Sequence, residues 1–116
     1  MNPKAKGTMA ETAVVKWLQA EGWSHAERRI LHGGKDKGDI LIGRDFVLEA
    51  KNHKSYAWAE WMKETETERF NAAATFGVLI VKPRGVGETR VGEWWACVPV
   101  KQMNMLLKRW RLQADD

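Results

Sequence analysis

The chain reads as a mixed α/β protein of the α+β kind, with a central mixed sheet flanked by helices. Three patterns say so. Apolar residues recur at helical spacing in three separate stretches. Two short apolar runs, 39–42 and 46–51, are separated by only a turn. Val78-Leu79-Ile80-Val81 is β-branched and unbroken, as in a strand covered on both faces. The implied order is α-β-β-β-α-β-β-α.

Residues 1–7 read as a short, mobile basic arm. Thr8-Met9-Ala10-Glu11 has the spacing of a helix N-cap with its capping-box glutamate. Ala10, Val14, Trp17 and Leu18 continue at helical period, and Gly22 ends the element. A short strand fits within Ala26 to Leu31, before the glycine-rich loop 33–38. The two runs of the hairpin follow. Trp58 to about Thr75 predicts a long helix with Trp58, Trp61, Met62, Thr65 and Ala72 inward, and with 63–69 as a solvated charged face. After the strand at 78–81, the segment Pro83 to Gly92 reads as turns. Trp94 to Val98 reads as a strand, and Lys101 to about Leu112 as a final helix. That helix carries Met103, Leu106, Leu107 and Trp110 on one face.

Composition bounds the rest. The 116 residues make one domain, 44% hydrophobic and 29% charged, with seven tryptophans expected in the core or an interface. Nineteen Lys+Arg against fifteen Asp+Glu give +4 and a pI near 9.4, a balance that suits a polyanion. The single cysteine, Cys97, forbids an internal disulfide, lies in an apolar run as an inert thiol, and points to a reducing compartment. No secretion signal and no apolar run of ~18 residues is present, so a cytoplasmic protein without membrane contact is expected. His25, His32 and His53 lack zinc-ligand spacing.

The hairpin concentrates the chemistry. If Gly43-Arg44-Asp45 is a three-residue loop, Ile42 faces Phe46 and Asp39 faces Glu49. Opposed Cβ atoms lie about 4.5–5.5 Å apart, close enough for both carboxylates to grip one ion. Lys51 then shares their face, and Ile40, Ile42, Phe46, Leu48 and Ala50 form the other, apolar one. A two-residue turn at Arg44-Asp45 would instead set Asp39 against Ala50. Carboxylates suit magnesium, which keeps waters and accepts a phosphate oxygen, and a neighbouring lysine can orient the water or neutralise developing charge. A surface hairpin with ordinary salt bridges is the competing reading of the same residues. Glu11 favours the metal centre. Spaced i, i+3, i+7 with Val14 and Leu18, it falls on the sheet-facing side of its helix, where a carboxylate needs a partner.

These residues bring a family into view. Gly7-Thr8-Met9-Ala10-Glu11, Gly38-Asp39-Ile40 and Glu49-Ala50-Lys51-Asn52 resemble, in order and spacing, the PD-(D/E)XK nuclease superfamily. The closest likeness is to its small Holliday junction resolvases, of the kind encoded by phages and archaea. The loop His32-Gly33-Gly34-Lys35-Asp36-Lys37-Gly38-Asp39 is similar to the glycine-rich approach in phage-type members. The resemblance spans about residues 7 to 82 and implies a restriction-endonuclease-like αβββαβ core. It implies that Asp39 and Glu49 ligate Mg2+, with Mn2+ able to substitute and the Ala50 carbonyl completing the site. It also implies that Lys51 positions the attacking water and that Glu11 binds a metal or its water. Gly38 stands where the namesake motif has proline. Asp36 is open between a turn residue and an assistant to the metal.

Arg28, Arg29, Lys35 and Lys37 lead into this centre, with His32 among them; Lys54 leaves it with His53, and Lys82 and Arg84 follow the later strand. Such flanking charge would draw DNA phosphates. No aromatic-rich reading platform is evident in the sequence, so recognition of backbone shape is expected. The expected activity is Mg-dependent endonucleolytic cleavage of four-way DNA junctions by a homodimer, with Trp94, Trp95 or the last helix at the interface. An exonuclease or flap nuclease with the same core is the first alternative. A non-catalytic DNA-binding protein of nuclease fold is the second.

Overall fold

The computed structural model describes residues 2–29 and 38–114. Helix α1 runs Pro3–Ala20, so the N-terminal residues are helical rather than an arm. The correction has a local cause. Asn2 caps the helix, its Oδ1 accepting from the Ala5 amide at 2.8 Å, and Pro3 follows where a missing N–H costs nothing. Thr8 is therefore inside the helix, not its cap. At the other end Gly22, with φ +107, lets the Trp23 amide turn back to Leu18 O at 2.9 Å.

Five strands follow: β1 Glu27–Arg28, β2 Ile40–Leu41, β3 Phe46–Lys51, β4 Phe76–Val81 and β5 Trp95–Cys97. Their spatial order is β1-β2-β3-β4-β5. All neighbours are antiparallel except β3 and β4, which are parallel and joined through helix α2, Trp58–Asn71. A parallel pair requires such a crossover. A 3-10 segment, Glu88–Glu93, precedes β5, and α3 spans Val100–Ala114. The result is a mixed five-stranded sheet flanked by helices, in the element order expected from the sequence.

The two sheet faces are distinct. Ile40, Leu48 and Ala50 pack on Ala10, Val14 and Val15 of α1, with Val91 and Trp94 closing the layer. Leu79 and Val81 face the other way, against Trp61 of α2. Alternate residues of β4 thus enter two different cores, which explains its unbroken apolar sequence. Trp94 is buried and Trp95 exposed, as the opposite faces of adjacent strand residues require.

Helix α3 is attached differently. Gln102 is its only buried residue. The Gln102 side chain accepts from the Gly77 amide at 2.8 Å and donates to Glu66 at 2.9 Å, while Arg69 also pairs with Glu66. Arg109 lies over the Phe76 ring at 5.1 Å. Val100, Met103, Leu106, Leu107, Trp110 and Leu112 are all exposed, Trp110 at 68%. The amphipathic face visible in the sequence is left uncovered.

Candidate metal centre

The hairpin takes the three-residue-loop register. Ile40 pairs with Leu48 and Leu41 with Val47, and the same count places Asp39 opposite Glu49. The Asp39 amide departs from strict pairing by donating to Leu48 O at 3.1 Å. Its Oδ2 accepts from the Ala50 amide at 3.1 Å, which fixes the carboxylate across the ends of both strands. On the outer side, Asp39 O accepts from the Arg29 amide at 2.7 Å.

Gly38 makes this approach possible. Its φ of +94 excludes proline, whose ring locks φ near −65°. A Cβ there would meet Val47 Cγ1 at 2.5 Å. The glycine in place of the motif's proline is thus required by the local geometry.

Glu49 shares the α2 side of the sheet with Leu79 and is only 3% exposed. Burial pushes its carboxyl far above the ordinary range. Hydrogen bonds to Asp39 and Glu68, and the charges of both, push in the same direction. Without a cation, Glu49 is held protonated. Its Oε2 is buried, and among the described residues no N–H group donates to it.

The sequence reading missed two partners. Glu68 is 1% exposed, and Glu64 is half-buried. Both come from the 63–69 run expected to be a solvated face. Glu49, Glu64 and Glu68 each bring a carboxylate oxygen within 4.8 Å of the other two. Helical spacing carried the signal: 64 and 68 lie at i+3 and i+7 from the inward Trp61. The charge run concealed it.

Lys51 follows on the same face. Its Nζ donates to both oxygens of Glu64 at 3.1 Å. Burial alone would lower the ammonium's pKa, but the carboxylates around it win and hold it above its usual value. The charge of Glu49 contributes most to that rise, followed by the hydrogen bond and charge of Glu64 and the charge of Asp39.

Glu11 lies apart from this group. Helix α1 covers the opposite sheet face, so Glu11 approaches from the edge and pairs with Arg28 at 3.6 Å. Its carboxyl is raised by burial and by the charge of Asp39, and lowered by Arg28 and Lys51. It therefore feels Asp39 without joining the buried carboxylates. Ala50 contributes its amide, to Asp39.

An all-oxygen set with a buried oxygen lacking a donor suits a hard divalent cation. Among the described residues, Glu49, Glu64 and Glu68 bring carboxylate oxygens close enough together to hold one, and Asp39 adjoins them through Glu49.

The basic residues divide. Lys54, Lys82 and Arg84 line a cavity of about 370 Å3 with Lys6, Asn52 and His53. Arg84 is tied down, its guanidinium donating to Lys54 O and its amide to Tyr56 Oη at 2.9 Å. Arg28 is exposed beside Glu11. Lys35, Lys37, His32 and Asp36 lie outside the described residues.

Two aromatic expectations are also corrected. Trp58 is 36% exposed rather than inward, because it opens α2 beyond the edge of the core. Tyr56, Trp58 and Trp95 meet at 5.5–6.0 Å between ring centroids and form an aromatic surface. Cys97 is half-buried rather than buried, and burial pushes its thiol upward. Among the described residues no helix is long and apolar enough to cross a membrane. Compared with family models, curated proteins and solved structures, the chain finds no match.

Proposed function

We infer that this chain is a magnesium-dependent DNA endonuclease of PD-(D/E)XK type, acting on branched DNA such as the four-way junction. One observation carries the reading. Asp39, Glu49 and Glu68 crowd together at a strand end, Glu49 is buried and protonated without a cation, and Lys51 is the next residue on that face. Two buried carboxylates, Glu49 and Glu68, with the half-buried Asp39 against them, are costly in a fold with no ligand to gather them.

Asp39 and Glu49 would hold the ion, with Glu68 or Glu64 completing the oxygen set. The ion supplies Lewis acidity toward a phosphate oxygen and makes water a stronger nucleophile. Glu49 must release its proton when the cation is held, so loading is coupled to deprotonation. Lys51, hydrogen-bonded to Glu64, would supply N–H donors for the attacking water or the charge building on the phosphate. Lys54 and Lys82 draw the neighbouring phosphates toward the same strand ends. Hydrolysis in line, leaving a 5′-phosphate and a 3′-hydroxyl, follows from the resemblance rather than from geometry.

A homodimer belongs to this reading, because a four-way junction has two strands to cut, related by a two-fold axis. The uncovered face of α3 is the surface best suited to a second copy. Met103, Leu106, Leu107 and Trp110 line that face and are exposed, Trp110 at 68%.

The test is cleavage of labelled four-way junction, flap, duplex and single strand, with magnesium or with EDTA. Paired symmetric nicks on the junction support resolution, and end-dependent degradation favours an exonuclease. Asp39→Asn should lose cleavage by at least ~100-fold while binding survives. Binding by the native chain with no cutting under any condition would leave only the non-catalytic reading.

A further inference from the structure

Beside the candidate centre lies an aromatic surface that the hydrolysis itself does not use. An unbroken run of ring contacts starts at His53, two residues past Lys51. It passes through Trp61 at 5.0 Å and Trp58 at 6.2 Å, and then reaches Trp95 at 5.8 Å. Tyr56 closes the group, 5.5 Å from Trp58 and 6.0 Å from Trp95. Trp61 is buried and anchors the set, while Trp58 and Trp95 are exposed at 36% and 46%. The interplanar angles of 31° and 36° give a shallow cradle rather than a closed stack.

The surroundings decide its partner. Arg84 connects the rings to the basic cavity, its amide donating to Tyr56 Oη and its guanidinium to Lys54 O. Lys6, His53, Lys54, Lys82 and Arg84 line that cavity, with Glu88 the acidic member among the described residues; Glu60 is the acidic residue nearest Trp58 in sequence. Exposed indoles beside a cationic track are the two components of single-strand recognition, in which bases stack on rings and phosphates follow the charge. A fully paired duplex keeps its bases stacked on one another and offers no face to the rings.

We propose that Trp58 and Trp95 form a stacking platform for an unpaired DNA base. The substrates favoured are then those with unstacked nucleotides near the scissile phosphate, at a branch point or single-strand tail. The proposal rests on the nuclease reading for that phosphate, but the binding it describes can be measured without cleavage.

The experiment uses the full chain in EDTA with three labelled probes: a 15-mer of thymidine, a blunt duplex, and that duplex with a single-stranded tail. Anisotropy should show Trp95→Ala and Trp58→Ala weakening the 15-mer and the tailed duplex about 10-fold more than the blunt one, the worth of a stacked base. Trp95→Phe should restore most of the loss, because it keeps an aromatic face. The native protein's tryptophan fluorescence should be quenched by the 15-mer and not by the blunt duplex, a readout that needs no variant. Equal losses on all three probes, or no loss on any, would overturn the platform. Cleavage in magnesium is measured in parallel. Native cutting with unchanged single-strand binding in both variants sinks the platform alone. Selective binding without cutting sinks the nuclease reading alone.

Discussion

Replacing Glu49 by glutamine should stabilise the metal-free protein, because the carboxyl it removes is held protonated at a pH where it would ionise in water. The sign follows from proton binding. The unfolded carboxyl titrates near 4.5 and the folded one far higher, so between those values the folded state binds the extra proton. Stability therefore falls as pH rises through that window, by ~1.4 kcal/mol per unit. At pH 7, about 2.5 units above the unfolded value, the cost reaches about 3 kcal/mol. Glutamine has the same shape, carries no titrating proton, and offers N–H groups to Asp39 and Glu68. At about 4 °C per kcal/mol for a chain of this size, Glu49→Gln should raise Tm by roughly 10 °C at pH 7 in EDTA. At pH 4.5 the gain should nearly vanish. Thermal unfolding of both proteins from pH 4.5 to 8 measures the difference, and other carboxyls cancel between them. Magnesium should stabilise the native chain and leave the variant unmoved. Parallel pH profiles in EDTA would refute the buried, protonated carboxyl.

Other perturbations test other parts of the fold. Gly38→Ala combines a φ of +94 with a 2.5 Å collision on the Val47 side chain, and should cost about 2–4 kcal/mol in urea unfolding. Lys82→Ala should weaken binding to all DNA probes alike and reduce the slope of log K against log salt by about one, measured in EDTA. Leu107→Glu, on the exposed face of α3, should convert a dimer to a monomer by light scattering without loss of the monomer fold.

Much of the fold was legible because its signals are periodic. The alternation from Phe46 to Lys51 marked the apolar face, and the spacing around Gly43-Arg44-Asp45 allowed two registers, of which the structure takes the three-residue loop. What escaped depended on tertiary context. Glu64 and Glu68 sat in a run of charges, and a glutamate is read as solvated until something shows what lies over it. Glu11 was placed correctly on the inner side of its helix, yet that helix covers the face opposite Glu49. Tyr56, Trp58 and Trp95 belong to a loop, a helix start and an edge strand, and no local pattern joins them. The start of α1 was misplaced for a different reason. Two valid capping signals stood six residues apart, and Asn2-Pro3 won over Thr8 because the intervening residues are helix-compatible.

The attachment of α3 has a consequence for α2. A 15-residue helix held to the body by one buried glutamine and by Arg109 over Phe76 is marginal by itself. Its tether ends on Glu66, and Glu66 lies midway between Glu64 and Glu68 on α2. The tether of α3 and the acidic side chains around Glu49 therefore share one stretch of α2.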